Sequence, residues 1–319
     1  MKDQACNLFN TIARVKQLVI RHPQFEQAYQ QIITAYNMNC QVGIPQHLVC
    51  VGGAGTGKST LTQELEKAHP RIEQSGNTII SVLVIGTPAM PTVKNLAEAV
   101  LVKLGDPLFS KGSAIDKTNR IEVLFKQCHV KLVVFDELQH FIDQGKTHNT
   151  LKVADWLKTV IDKTKVSTVL MGLERSEQIL QVNEQLRRRF SRRIDLKPFA
   201  LDEVADWQYF IGILKKIDQE IALPKPLELT DKSLIRCIHF ATNGIIDYIV
   251  KLLLGAYEVA YENNLLGIDQ YCLEVAFTKR IWVHGIGHLN PFNNAFKWQR
   301  LDKRGMPFHK ASINILEVK

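Results

Sequence analysis

Apolar residues along this chain recur in two kinds of run, and the kind changes with position. Between residues 46 and 200 short, nearly unbroken apolar stretches stand alone, HLVCV at 47–51, TIISVLVIG at 78–86, KLVVF at 131–135 and STVLMG at 167–172, and RIDLKPF at 193–199 looks like a further short strand. Runs of that length, apolar at every position, are strands buried on both faces. Between them apolar residues return every third or fourth position, as in STLTQELEKA, VKNLAEAVLVKLG, residues 116–128, LKVADWLKTVIDKT and RSEQILQVNEQLRRRF. That period marks amphipathic helices. Strands alternating with helices predict a parallel sheet covered on both faces, a three-layer α/β architecture.

The pattern differs on either side of this block. Residues 1–45 read as helical, LFNTIARVKQLVI and FEQAYQQIITAY being interrupted by His22-Pro23. A proline disfavours helix at the residue before it. After Pro198 no strand-like run occurs as far as residue 280, and helices are joined by turns at Pro224–Pro226 and Asn243-Gly244. From about residue 281 aromatic, glycine and basic residues mix without a period. The expected organisation is therefore an N-terminal helical segment (1–45), an α/β domain (46–200), an all-helical module (201–280) and a tail (281–319).

Composition narrows the class only modestly. With 45% apolar and 23% charged residues in 319, the chain is an ordinary globular protein with room for a sizeable core. No apolar run approaches the roughly 20 residues that span a bilayer, and MKDQACNLFNTIARVKQ lacks a basic stretch followed by an apolar one. No membrane association and a cytoplasmic location are expected. Cys6, Cys40, Cys50, Cys128, Cys237 and Cys272 are scattered, without the paired spacing of a zinc site or disulfide framework. His284 and His288 are separated by glycines that argue against a metal-binding helix face. The net charge of +8 leans toward a polyanionic partner, nucleic acid above all, although a basic surface can exist without one.

Chemistry concentrates in two places. GGAGTGKST at 52–60 fits G-x-x-x-x-G-K-[ST], with an apolar strand before it and a helix after it. Gly52, Gly53, Ala54, Gly55, Thr56 and Gly57 let the backbone curl so that successive N–H groups face phosphate oxygens, helped by the helix N-terminus. Lys58 then reaches the β- and γ-phosphates, the Ser59 hydroxyl binds Mg2+, and Thr60 closes the segment; ATP with Mg2+ is the expected cofactor. The second place is LVVFDE, Leu132 to Glu137. Asp136 at the end of a buried strand would hold the magnesium shell, and Glu137 beside it would orient and deprotonate an attacking water. An acidic cap at a strand end is the bland alternative, and it loses weight once the phosphate loop is present upstream.

The order of phosphate loop, strand, Asp-Glu strand, fourth strand, arginine-ended helix and helical module resembles that of AAA+ ATPases. More narrowly, the chain resembles the TnsC/TniB family of AAA+ DNA-transposition regulators. The residues that carry this are His22-Pro23, LVCVGGAGTGKSTL, LVVFDELQHF, STVLMGLERSEQIL, QLRRRFSRRIDLKPF and NGIIDYIVKLLLGA, from about residue 20 to 260. The resemblance implies a P-loop AAA+ fold with a C-terminal all-helical lid. It also implies an ATPase that uses hydrolysis as an assembly switch. Members form homo-oligomeric rings or helical filaments on double-stranded DNA and link a transposase to a target-selection protein, of the TniQ or TnsD kind or an RNA-guided complex. Arg189 matches the family position of the arginine that reaches a neighbour's γ-phosphate, with Arg188 next to it; a solvated basic helix end is the alternative.

Two departures from the pattern stand out. Leu173 follows Gly172 where relatives place a polar γ-phosphate sensor, leaving Thr168 or Glu174 as substitutes. The lid's sensing arginine is missing near Asp247–Tyr248, with Lys251 as a stand-in. Both imply slow hydrolysis. Family members bind DNA through basic and hydroxyl residues after the second strand, which here would be Lys94, Lys103, Lys111 and Ser113, with Lys94 and Lys111 foremost. In the tail, Phe292, Phe296 and Trp298 would anchor a contact to the transposase unless the tail packs on its own module. The competing classes are an AAA+ helicase loader or origin-binding ATPase, and a nucleotide-locked signalling scaffold. A small-molecule kinase is disfavoured by Glu137 and the basic charge.

Overall fold

A computed structural model describes residues 2–309 apart from 75, 90–91 and 144–146. The chain forms two compact units, one of residues 23–196 and one of residues 2–22 with 197–309. The helical stretch expected over 1–45 is thus divided at His22/Pro23. Helix α1 (Lys2–Gln17) packs in the second unit, and α2 (Pro23–Gln41) in the first.

The first unit is α/β. After α2 come β1 (His47–Gly52), α3 (Lys58–Ala68), a hairpin of β2 (Ile72–Gln74) and β3 (Asn77–Ile79), and β4 (Val82–Gly86). Then follow α4 (Val93–Leu104), α5 (Ala114–Gln127), β5 (Leu132–Asp136), α6 (Gln139–Asp143), α7 (Thr147–Thr164), β6 (Ser167–Gly172), α8 (Gln178–Gln181), α9 (Glu184–Arg189) and β7 (Arg192–Leu196). Five strands make one sheet in the order β4-β5-β6-β1-β7, every pair parallel. The register pairs Gly52 with Leu196, Val51 with Gly172, Phe135 with Leu170 and Gly86 with Asp136, so all five strands end on one rim. Strands β1, β4, β5 and β6 are buried on both faces, while β7 at the sheet edge exposes Arg192 and Arg193. Val49, Val51, Phe135, Leu170, Phe125 and Trp156 belong to one core, each such side chain contributing about 1.5–3 kcal/mol by burial.

Two elements differ from the sequence pattern for local reasons. The run at 78–86 is split, because Ile79 ends the antiparallel hairpin and the parallel strand begins only at Val82. The single helix expected over 175–190 is three short pieces. Asn183 leaves helical geometry (φ −138°), and its side chain accepts the Leu186 N–H at 2.9 Å, capping α9.

The opposite rim is tied to α2. The Asn39 amide donates to the carbonyls of Lys131 (2.8 Å) and Lys165 (3.2 Å), just before β5 and β6. Ser167 at the start of β6 donates to Ala35 O (2.8 Å) and accepts from Gln46 N (3.0 Å).

The second unit is helical: α1, α10 (Val204–Ile221), α11 (Lys232–Thr242), α12 (Ile246–Glu262) and α13 (Gln270–Ala276), the last running into a π-helical turn at Phe277–Ile281. The α11–α12 turn uses two left-handed residues, Asn243 (φ 50°) and Gly244 (φ 65°). A Cβ on Gly244 would sit 2.0 Å from the Phe199 carbonyl oxygen, so no other residue fits. Phe199 is pinned there: its N–H donates to Gly244 O (2.8 Å), its carbonyl accepts from the His239 ring (2.8 Å), and its ring meets His22 edge-on at 4.8 Å.

Residues 281–309 do not form a free tail. Phe292, Phe296, Leu301 and Phe308 are buried in the core of the helical unit. This corrects the reading of Phe292 and Phe296 as docking anchors; of that trio only Trp298 is exposed. Tail residues from 310 onward, like the Cys6 side chain, lie outside the described residues. Among the described residues no single helix is long and apolar enough to cross a membrane.

Candidate nucleotide site

The loop between β1 and α3 is shaped before any ligand arrives. A Cβ on Gly52 would lie 2.5 Å from Leu196 O and 2.6 Å from Thr56 Oγ1, so only glycine lets the loop pass β7 this closely. Gly55 (φ 74°) and Gly57 (φ 99°) turn the chain through left-handed conformations, and Thr56 Oγ1 donates across the loop to Gly53 O at 2.9 Å. Gly57 is also the N-cap residue before α3, and no side chain caps the helix. Its first-turn N–H groups, from Lys58, Ser59 and Thr60, are left to meet anionic oxygens. Ala54, exposed, and Gly53 complete the curl.

Lys58 donates to Gly52 O (2.8 Å) and Gly53 O (2.7 Å), folded back along its own loop. Burial lowers its pKa, while the nearby Asp136 and Glu137 carboxylates act the other way. The Asp136 carboxyl is raised mainly by burial, with Glu137 adding to the rise and the Glu137 N–H and Lys58 opposing it. Cys50, directly below, is pushed up to about 12 by burial and is inert as a thiol.

Glu137 stands apart from its neighbour. Its backbone is left-handed (φ 59°), its N–H donates to Asp136 Oδ1 (2.8 Å), and its side chain is mostly exposed. A non-glycine residue in that region carries strain of about 1–3 kcal/mol and turns the carboxylate away from the strand direction. His140 Nε2 lies 3.6 Å from the Glu137 carboxylate. Thr87, at the end of β4, fixes this corner by donating both N–H (2.9 Å) and hydroxyl (2.6 Å) to Asp136 O. Sequence reasoning missed Thr87; the signal was a hydroxyl residue ending the strand beside β5.

The sensor assignments change. Thr168 pairs with His47 at the start of β6, is buried, and donates to Val166 O, so it lies at the rim away from the phosphate loop. Glu174 is exposed in the 3-10 turn after the strand. The polar groups beside Gly172 come instead from buried Ser176, whose hydroxyl lies nearest to where a residue-172 Cβ would be, and from Gln139. The Gln139 Oε1 accepts from Leu173 N at 3.2 Å and lies 2.8 Å from that Cβ position. Lys251 is engaged within its own helix, 2.6 Å from Asp247 and over the Tyr248 ring.

The two arginines are held differently. Arg189 pairs with Asp162 at 2.8 Å and is two-thirds covered. Arg188 is 78% exposed and pairs with its helical neighbour Glu184, a pair worth at most about 0.5 kcal/mol.

Of the four residues expected to meet DNA, Lys94 and Lys111 are exposed on α4 and on the α4–α5 loop. Lys103, also exposed, lies 3.6 Å from Glu66. Ser113 is committed to the α5 capping box with Asp116. The loop itself is braced by two residues the sequence reading overlooked. Fully buried Lys117 donates to Phe109 O (2.5 Å) and Lys111 O (3.0 Å) and lies 3.2 Å from Glu98. Arg120 donates to Leu108 O and Lys111 O, both 3.0 Å, and pairs with Asp106.

The donor set fits a magnesium nucleotide. An uncapped helix start and Lys58 suit polyphosphate, and the hydroxyl of Ser59 with the carboxylate of Asp136 are the hard oxygen ligands that magnesium takes.

Comparison with solved structures supports the fold. The chain superposes on the ORC2 protein of Aeropyrum pernix (ADPNP-ADP complexes) with a TM-score of 0.57 and 13% identity, covering 82% of this chain and 68% of that one. On Cdc6p of Pyrobaculum aerophilum the values are 0.58, 16%, 82% and 68%. On the A. pernix ORC1 protein, solved in complex with DNA, they are 0.58, 13%, 82% and 66%. The five-stranded parallel sheet and its flanking helices thus have the P-loop AAA+ α/β fold. No match was found among curated proteins. The sequence profile described as "Bacterial TniB protein" matches residues 11–200, more than half of the chain, from the end of α1 through the phosphate loop, the Asp-Glu strand and β7. The chain belongs to the TniB family.

Proposed function

We propose that this protein is an ATP-dependent regulator of DNA transposition, which oligomerises on double-stranded target DNA and links a target-selection protein to the transposase. The observation that carries the reading is the complete set of Gly52–Thr60, Asp136 and Glu137 on one sheet rim within a TniB-family chain.

In this scheme the uncapped start of α3 and Lys58 bind the phosphates, Ser59 and Asp136 hold Mg2+, and Glu137 takes the proton of the attacking water. Bound Mg2+ would neutralise charge developing on the phosphate oxygens. Thr87 keeps the Asp136–Glu137 corner fixed, and Gln139 and Ser176 are the candidates for the sensing position beside Gly172. Arg188 is the better candidate for reaching a neighbouring subunit's nucleotide, since Arg189 is held by Asp162. Hydrolysis that waits for a neighbour makes the ATPase an assembly switch, with disassembly following turnover. Lys94 and Lys111 are the first DNA contacts, Lys103 a peripheral one, and Ser113 serves the loop's fold.

The test is electron-microscopic imaging of the protein with duplex DNA, with and without a non-hydrolysable ATP analogue. Nucleotide-dependent rings or filaments on DNA are expected, persisting with ATP in Glu137→Gln and absent in Lys58→Ala. ATP-dependent assembly by Lys58→Ala, or nucleotide binding without any interaction with DNA, would overturn the reading. The latter outcome would favour a nucleotide-locked scaffold.

A further inference from the structure

Residues 296–308 of the helical unit pack on one side and face solvent on the other. Phe296, Leu301 and Phe308 are buried, while Lys297, Trp298, Arg300, Lys303 and Arg304 are exposed. This anchored strip presents four cations against one carboxylate, Asp302. Elsewhere in the same unit some exposed cations are matched, Arg280 by Glu258, Lys251 by Asp247 and Arg14 by Glu220, and others, such as Lys215, Lys216 and Lys279, stand on helices rather than gathered on one short segment. Among the described residues these four form no ion pair. Four unneutralised like charges on one segment repel each other, so the strip becomes more favourable when an anion covers it.

Trp298 is the second observation. It is 51% exposed and its backbone is left-handed (φ 41°), a conformation that disfavours a bulky side chain. Packing holds it there, its ring lying 5.6 Å from Phe240 and 5.8 Å from Phe296, each near edge-on. One face of the indole is thereby displayed among cations. Arg236, one turn before Phe240 on α11, lies exposed over the Trp207 ring. Arg300 is close to His239, whose protonation is disfavoured mainly by burial and further by that guanidinium. The strip therefore lies against the C-terminal half of α11. A pocket of about 240 Å³ next to Trp298 has a mixed lining, with Asp231, Ser233 and Asn294 beside Leu234, Pro291 and Phe296.

We propose that Lys297, Trp298, Arg300, Lys303 and Arg304 form a second DNA-contact surface, on the helical unit, in which the cations meet backbone phosphates and Trp298 packs against a sugar or base. It rests on the reading of the protein as a DNA-bound oligomer and adds a contact separate from Lys94 and Lys111. Phosphate contacts of this kind give affinity without sequence preference, and indole stacking tolerates every base.

The experiment measures anisotropy of a labelled duplex with the non-hydrolysable analogue across 50–300 mM salt. It compares the wild type, the quadruple variant Lys297→Gln/Arg300→Gln/Lys303→Gln/Arg304→Gln, and Lys94→Ala/Lys111→Ala. All substituted side chains are exposed, and an unchanged urea midpoint verifies folding. The quadruple variant is expected to lose about 0.9 of log–log salt slope per phosphate contact, a drop of roughly 3–4. Quenching of tryptophan emission by DNA should also shrink in Trp298→Phe. A quadruple variant with wild-type slope, beside a weakened Lys94→Ala/Lys111→Ala, overturns this surface and leaves the proposed function standing. Wild type that ignores DNA at every salt overturns both. Competition by poly-glutamate as effective as by unlabelled DNA would replace DNA with an acidic protein partner.

Discussion

Lys117 is the buried cation on which the α4–α5 loop depends, and replacing it with methionine isolates that dependence. Methionine fills most of the same space without the ammonium. The substitution removes donors to Phe109 O (2.5 Å) and Lys111 O (3.0 Å) and leaves Glu98 without its partner at 3.2 Å. Removing one member of a buried ion pair costs about 3–5 kcal/mol. Glu98 retains 27% exposure and Lys111 O keeps Arg120 as a donor, so water and Arg120 recover part of that. The expected loss is about 3 kcal/mol. For the α/β unit, residues 23–196, such a loss lowers Tm by about 6–12 °C. Urea unfolding monitored by circular dichroism measures the first figure, and a thermal melt the second. The loop should also become a preferred protease site between residues 105 and 113, and DNA affinity should fall with it. A loss under about 1 kcal/mol, with the loop still protected, would refute the bracing role.

Gly52→Ala places a methyl 2.5 Å from a β7 carbonyl that cannot retreat without breaking the β1–β7 pairing. We expect about 1–3 kcal/mol lost in denaturant and nucleotide binding reduced at least tenfold by calorimetry; wild-type affinity would sink the packing argument. His22 has its pKa lowered to about 4 by burial, against about 6.5 unfolded. Between those values the unfolded chain binds more protons, so this contribution is complete above pH 6.5 and disappears as pH falls toward 4. Lowering the pH from 7 to 5 should cost about 2 kcal/mol through His22. The loss should be smaller by that amount in His22→Gln, and an unchanged pH dependence in urea unfolding would disprove the assignment. Arg188→Ala should keep wild-type stability and lose DNA-stimulated hydrolysis, whereas Arg189→Ala should unfold at lower urea because Asp162 loses its partner. Full turnover by Arg188→Ala would return the trans role to Arg189.

What the sequence reveals depends on how local the cause is. The phosphate loop and Leu132–Glu137 are contiguous, and each residue type there is demanded by the chemistry of its own segment. Four of the five strands were legible because burial on both faces leaves unbroken apolar runs, the edge strand β7 only from its alternating Ile194 and Leu196, and the break at Asn183 follows from a residue that caps helices. Lys117 gave no signal, since an isolated lysine on a helical segment reads as solvated. Its burial arises only because three carbonyl or carboxylate groups converge from α4 and its loop. Gln139 was hidden for a similar reason, taking a position on β6 from the segment after β5. The burial of Phe292, Phe296, Leu301 and Phe308 could not be read either, because turns space them without any period. His22-Pro23 marked a helix break but not which unit each helix would join.

Helix α2 lies before the point where the first strand opens, yet the sheet's lower rim is finished by it. A shortened protein beginning at residue 46 would leave the carbonyls of Lys131 and Lys165 without the Asn39 amide, and the Ser167 hydroxyl without Ala35. It would also uncover Phe25, Ala28, Ile32 and Ala35, all buried. Anyone wishing to isolate the nucleotide-binding half for spectroscopy or crystallisation should cut at Pro23, where the chain passes from one unit to the other, and keep everything to Leu196.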